Sequence, residues 1–190
     1  MALEGFYPFF QNIIKNCQTI LITSDTHFGD FELKSGIKRP SDEELLKIIN
    51  SKIGTKDLFI HLGDCGNLEF IKQIKGKYKI LIAGNHDQGL DKFRKVFDEV
   101  YAGPIVIAEK LILSHEPVEA SWAHNIHGHI HSALHTTDKW HTNVCGDAKG
   151  NYEPINFNQF MKNSPLAKID SIHRQTIDNA TLRKKKRTMK

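Results

Sequence analysis

Five short polar groups in this chain carry the residue types that bind metal ions. In chain order they are Asp25-Thr26-His27, Gly63-Asp64, Gly84-Asn85-His86-Asp87, His115 and Gly128-His129-Ile130-His131. Asp25 and His27 stand two residues apart, so on an extended segment both face the same side. His129 and His131 repeat that spacing with two imidazoles, which can chelate one centre. Taken singly, Gly63-Asp64 and the Gly84 group are ordinary turn chemistry, and a lone His115 is more often a satisfied structural histidine. Taken together they are a donor set, and burying so many polar groups with nothing to bind would be costly. Imidazole, carboxylate and carboxamide without thiolate suit Mn, Fe, Zn, Ni or Co. A shared carboxylate can hold two such cations about 3.5–4 Å apart, and the pair would attract a phosphoryl dianion and acidify a bound water.

The elements that must position these groups follow from the hydrophobic pattern. Thr19 to Thr23, Asp57 to Leu62 and Tyr78 to Ala83 are short apolar runs that read as buried strands. Each ends directly at one of the polar groups. Ser41 followed by Glu44 predicts a capping box opening a helix that Gly54 ends, with Leu45, Ile49 and Ile53 on its apolar face. Shorter helices are predicted over 67–75, 90–97 and 156–163. From about residue 98 the pattern changes to short strands at 104–108, 111–114, 123–127 and 140–145. The first half is βαβα-like and the second strand-rich, which predicts an α/β sandwich with parallel strands first and antiparallel strands later. Sites in such folds form outside the carboxyl ends of strands.

Composition bounds the rest. The chain has 190 residues, 39% hydrophobic and 25% charged, the balance of a globular protein. No apolar run approaches the ~18 to 20 residues of a membrane span. The N-terminus lacks a basic n-region and is a poor secretory signal. The three cysteines, Cys17, Cys65 and Cys145, are an odd number without a CxxC pair, which argues against a disulfide scaffold and for a reducing, cytoplasmic setting. Residues 181–190 hold six Lys and Arg and no acid, so the net charge of +4 belongs to the tail and the body is slightly acidic. The expected organisation is one domain over 1–164 and a basic, flexible tail over 165–190.

The ordered series Asp25-x-His27, Gly63-Asp64, Gly84-Asn85-His86-Asp87, His115 and Gly128-His129-x-His131 resembles the calcineurin-like metallophosphoesterase superfamily. The stretch Asn143 to Ile155, NVCGDAKGNYEPI, resembles the closing segment of its small prokaryotic members. The resemblance implies an α/β fold with a two-sheet mixed β sandwich flanked by helices, two divalent metal ions and hydrolysis of phosphoric mono- or diesters. It implies that Asp25, His27 and His131 hold one ion, that Asn85, His115 and His129 hold the other, and that Asp64 bridges them. It places His86 opposite the leaving group, as general acid after in-line attack by a metal-bridging hydroxide.

The second motif departs from the protein Ser/Thr phosphatases, which extend it to G-D-x-x-D-R-G. Here it reads Gly63-Asp64-Cys65-Gly66-Asn67-Leu68-Glu69. That points away from phosphoproteins and leaves Asp87 as the candidate for orienting His86. His61 and His127 are expected in the core or behind the ligands, and His124, His135 and His141 on loops or the rim. In the loop after the first motif, Lys34 and Arg39 are candidate substrate contacts, with Phe28 and Phe31 for stacking. An open site would suit a nucleotide or a nucleic-acid end. Two other readings compete with a phosphodiesterase or broad phosphoesterase. One is a non-catalytic metal-binding scaffold, against which the presence of His86 argues. The other is a nuclease or phosphatase that uses the basic tail on nucleic-acid ends. Nothing in the sequence reports a protein partner.

Overall fold

The computed structural model describes residues 6–30, 36, 38–132 and 137–170. Two sheets face each other. The first takes the order β4-β3-β2-β1-β9, from β1 (Ile20–Thr23), β2 (Leu58–His61), β3 (Tyr78–Ile82), β4 (Glu99–Tyr101) and β9 (Ile155–Asn156). Its first four strands run parallel, and β9 closes the edge antiparallel to β1. The second takes the order β5-β6-β7-β8, from β5 (Ile105–Ala108), β6 (Leu111–Leu113), β7 (His124–His127) and β8 (His141–Asn143).

The inner strands of the first sheet, β1 to β3, are mostly apolar because both of its faces are covered. Alternation along the pleat assigns the faces. Ile20, Ile22, Leu58, Ile60, Ile80 and Ile82 pack toward the second sheet, against Ile107, Leu111, Leu113 and Ile126. Leu21, Phe59 and Leu81 point the other way, to helix α2 (Asp42–Lys52) and helix α3 (Leu68–Lys72), through Leu45, Ile49, Ile53 and Ile71. The predicted capping box is present, with Ser41 Oγ accepting from the Glu44 amide and a Glu44 carboxylate accepting from the Ser41 amide. Helix α4 (Leu90–Phe93) is a single turn, shorter than expected. Its last residue, Phe93, and the following Phe97 are buried in the same layer.

Three expectations change. The late strands are not antiparallel as a group: only β5 and β6 are, while β6, β7 and β8 run parallel. Among the described residues, their connections hold no helix to announce the crossover. A helix that the pattern did not predict, α1 (Pro8–Ile14), closes the open end of the sandwich with Phe10 and Ile14. Two short helices follow β8: α5 (Gly146–Lys149), also unpredicted, and α6 (Phe157–Asn163) as predicted. After α6 the described chain runs through a 3-10 turn over Pro165–Lys168 to a buried Ile169. The basic run at 181–190 lies outside the described residues.

The consequence for the site is directional. Strands β1, β2 and β3 in one sheet and β6, β7 and β8 in the other all deliver their carboxyl ends to the same edge of the sandwich. Ser24 bridges to Cys145 across the two sheets, and the Gly128 amide bonds to the His115 carbonyl at 2.9 Å. All five polar groups meet along this seam.

Candidate active site

Two sets of ligand atoms converge there. Asp25, His27 and His131 form one, and Asp64, His115 and His129 the other, each with its ligand atoms within 4.8 Å of one another. Asp64 also joins the sets. Its Oδ2 lies 3.5 Å from His27 Nε2 and 3.3 Å from His115 Nε2. Asn85 completes the second set, with Oδ1 2.9 Å from His115 Nε2, while His129 Nδ1 lies 3.1 Å from that same nitrogen. In the first set, His131 Nε2 lies 3.6 Å from Asp25 Oδ1. All seven expected ligands are therefore together.

The main chain is bent to make this possible. Asp25, His27, Asp64 and His129 have φ of +52°, +44°, +57° and +67°, and they are the non-glycine residues with positive φ among the described residues. Such conformations cost on the order of 1–3 kcal/mol each and persist where the surroundings over-determine them. The surroundings here are specific. The Asp25 amide bonds to the Gly63 carbonyl at 2.9 Å and the His27 amide to the Asp64 carbonyl at 3.0 Å, so the first two motif loops hold each other. Neighbouring glycines give the carboxylates room. A Cβ at Gly84 would overlap Asp64 Oδ1, and one at Gly128 would overlap Asp25 Oδ2.

Ring nitrogens are committed so that one of each pair faces inward. His115 Nδ1 donates to the Leu62 carbonyl at 2.8 Å, which leaves Nε2 toward Asp64. His131 Nδ1 pairs with Asp147 Oδ2 at 2.6 Å, which leaves Nε2 toward Asp25. Buried His27 Nε2 has no hydrogen-bond partner among the described residues. A buried nitrogen aimed at a carboxylate 3.5 Å away is what a cation-binding site requires.

Electrostatics agree with that fit. Burial raises the Asp25 carboxyl above the usual range, against the nearby charges of His115 and His131 and the hydrogen bond from the His129 amide. Burial pushes His27 down to about 4, favouring the neutral, ligating form. Burial would also raise Asp64, but the His115 hydrogen bond and the His86 amide outweigh it and hold the carboxyl at about 2. Burial would lower His115, yet its bond to Asp64 and the nearby charge of Asp25 lift it to about 8. Two buried carboxylates thus recruit positive charge from a histidine, the same demand that a divalent ion would meet. The donor set and the orphan His27 nitrogen fit two such ions.

His86 is exposed at the rim, its ring 5.3 Å from that of His27, and its amide bonds to Asp64 Oδ1 at 2.9 Å. Asp87 does not orient it. The Asp87 carboxylate instead accepts the amides of Asp64 at 2.7 Å, Cys65 at 3.0 Å and Gly84 at 2.9 Å, and so pins the second and third motif loops together. His61 lies behind the site as expected, with Nε2 3.0 Å from Thr26 Oγ1. His127 is likewise buried and bonds to the Gly128 carbonyl.

Four expectations for the surroundings are corrected. Arg39, a candidate phosphate contact, turns inward; its side chain is 1% exposed and bonds to the Asp25 carbonyl at 2.6 Å. Phe28 is buried and stacked on Phe70 rather than free to stack on a substrate. His124 and His141 are buried, not on the rim. Lys34, Phe31 and His135 lie outside the described residues. Asp147 and Tyr152, which were not singled out, prove to stand directly behind His131. The signal available for them was the NVCGDAKGNYEPI segment in which both lie.

Beside the second set, a cleft of about 300 Å³ opens between Asn85, His115, Gly103 and Pro117. Among the described residues no helix is long and apolar enough to cross a membrane.

The fold matches solved structures. A protein of unknown function from Aquifex aeolicus is 24% identical over 76% of this chain and 98% of its own, with a TM-score of 0.63. The nuclease MPE of Pseudomonas putida is 22% identical over 59% of this chain and 61% of its own, at a TM-score of 0.45. The phosphoesterase Yfce of E. coli is 16% identical over 67% and 78%, at 0.39. No curated protein matches the chain. The family model for calcineurin-like phosphoesterases matches residues 18–171, which contain every ligand described above, and the chain belongs to that family.

Proposed function

We propose that the protein is a hydrolase of phosphoric esters that works with two divalent metal ions, as a phosphodiesterase or a broad phosphoesterase. The observation that carries this reading is the position of Asp64 Oδ2, between His27 Nε2 at 3.5 Å and His115 Nε2 at 3.3 Å. One carboxylate oxygen facing two separate ligand sets is the arrangement that a pair of ions needs. Asp25, His27 and His131 would hold one ion, Asn85, His115 and His129 the other, and Asp64 both. When bound, the ions would neutralise the phosphoryl oxygens and supply a nucleophile at neutral pH, and Mn is the natural first ion to test.

The chain's own residues do the remaining work. Asp25 and Asp64 keep the site from being excessively positive, so that it attracts a phosphoryl group and still releases the product. The left-handed turns at Asp25 and Asp64 aim the carboxylates without side-chain rearrangement, a form of preorganisation. His86 stands at the exposed rim, held through its amide by Asp64, where its ring is free to reach a leaving oxygen. In the protonated form it gives that oxygen a proton, a contribution of ~10²–10⁴-fold in rate. The exposed edge at Asn85 and His86 would accommodate a diester with groups on both sides of phosphorus, such as a nucleotide or a nucleic-acid end. The three free cysteines fit a reducing, cytoplasmic setting.

The test is metal content followed by hydrolysis of bis-p-nitrophenyl phosphate and p-nitrophenyl phosphate with Mn²⁺, in parallel with Asp64→Ala. Two ions per chain and turnover lost in the variant are expected, and the ratio of the two rates chooses diester or monoester. A purified protein that binds no divalent ion would overturn the reading.

A further inference from the structure

One of the two ligand sets is gripped from behind by three side chains that do not belong to it. The Asp147 side chain is 1% exposed, and its two oxygens are used differently. Oδ2 takes His131 Nδ1 at 2.6 Å. Oδ1 takes the Tyr152 hydroxyl at 2.6 Å and Arg39 Nε at 3.3 Å. Arg39 then reaches on with Nη2, which donates to the carbonyls of Asp25 at 2.6 Å and Thr26 at 3.3 Å. The Tyr152 ring lies against Gly146, where a Cβ would overlap it, so the hydroxyl has little freedom to leave.

Each link has a physical reason. A carboxylate only accepts hydrogen bonds, so Asp147 requires the proton of His131 on Nδ1 and leaves the Nε2 lone pair facing Asp25. A buried carboxylate is tolerable only when its remaining lone pairs are satisfied, which Tyr152 and Arg39 do. The irregular Asp25-Thr26-His27 turn leaves carbonyls outside the sheet ladder, and Arg39 supplies their donor. One guanidinium therefore ties the turn carrying Asp25 and His27 to the carboxylate that sets His131. The other ligand set is built differently, since His115 is oriented by the Leu62 main-chain carbonyl.

We infer that Asp147 is the positioning residue for His131, and that Arg39 and Tyr152 fix Asp147, so that the Asp25–His27–His131 ion is held by a clamp of side chains. The selective effect on one ion rests on the two-ion reading above. The clamp itself, and the tautomer it imposes, do not.

The experiment has two parts on the full chain. The first titrates Mn²⁺ into metal-free wild type, Asp147→Asn and Tyr152→Phe and counts ions bound per chain. Wild type is expected to bind two. Asp147→Asn should keep one site at wild-type affinity and weaken the other ~10–100-fold, as loss of a partner behind a ligand does. Tyr152→Phe, which leaves the ring in place against Gly146, should weaken the same site by less. The second part reads the His131 tautomer in the metal-free proteins from ¹⁵N couplings to the ring protons. Wild type should show the Nδ1–H form, and Asp147→Asn a mixture. Two unchanged affinities together with an unchanged tautomer in both variants would overturn the inference. A wild type that binds fewer than two ions would count against the two-ion reading, while the tautomer comparison would still decide for or against the clamp. If Asp147→Asn does not fold, Tyr152→Phe decides alone by the same two measurements.

Discussion

The carboxylate of Asp64 holds the main chain of His86. Oδ1 accepts the His86 amide at 2.9 Å, while Oδ2 faces both ligand sets. The residue proposed to join two ions is thus also the residue that holds the main chain of the proposed proton donor. On the proposed function, binding and chemistry would share one side chain, and a substitution at Asp64 can be chosen to separate them.

Asp64→Asn keeps an oxygen for the His86 amide and removes the negative charge. Asp64→Ala removes both. The first is expected to fold with its third motif loop intact and to lose affinity for divalent ions. The second should also loosen residues 84–87. Turnover falls to background in each. Hydrogen exchange of the His86 amide distinguishes them: it stays protected in Asp64→Asn and becomes fast in Asp64→Ala.

His86→Ala should leave metal content at the wild-type level and cut kcat by ~10²–10⁴-fold on an ester with a poor, alkyl leaving group. On a p-nitrophenyl ester the loss should be much smaller, because nitrophenolate leaves without a proton. The comparison of the two leaving groups is the measurement. Equal losses on both esters would remove His86 from the role of acid.

The candidate ligands were readable in the sequence because Asp, Asn and His recur at strand ends, most of them after short apolar runs, although the strand before His129 and His131 reads HNIH; their division between two ions came only from the resemblance. Helix α2 was readable for a similar reason, since Ser41 and Glu44 announce its start. What stood outside that logic was hidden. Arg39 in a polar loop reads as a surface cation, and nothing local shows that Asp147, more than a hundred residues on, buries it. Asp147 lies 16 residues from His131 with no fixed spacing to reveal the pair. The direction of β7 and β8 was unreadable because no helix among the described residues marks the crossovers. Helix α1 has Pro8 at its start but no side-chain cap and only two turns, too short for a clear period. His124 reads as a rim residue, yet the second sheet buries it.

Asp87 offers a stability prediction. Its carboxylate serves three buried or half-buried amides, those of Asp64, Cys65 and Gly84. Asp87→Ala strands all three. An unmet buried donor costs ~1–3 kcal/mol, so the variant should lose on the order of 3 kcal/mol or more in urea or thermal unfolding. Asp87→Asn retains one acceptor oxygen and should fall between. Because the amides belong to the two loops that carry Asp64 and Asn85, metal affinity should decline in the same order.

His124 supplies a pH dependence that is independent of the ligand sets. It is buried, with Nδ1 donating to the Lys139 carbonyl at 3.0 Å and Nε2 facing Thr142 Oγ1 at 2.9 Å. Burial lowers its pKa below the ordinary value of 6.5, with the Lys139 carbonyl and Asp138 partly opposing and His141 lowering it further. The folded state therefore resists a proton that the unfolded state takes readily near pH 6.5. The stability from the neutral ring is complete above that pH and declines as pH falls toward the lowered value. His124→Gln keeps a polar side chain of similar reach but cannot titrate. It should be less stable than wild type at pH 8, and its Tm should fall less between pH 8 and pH 5. At about 2–4 °C per kcal/mol for a domain of this size, the gap between the two melting curves should narrow by a few degrees. A gap that stays constant or widens as pH falls would mean that the buried ring takes up its proton without cost, and that the Lys139 and Thr142 contacts hold the charged form as well as the neutral one.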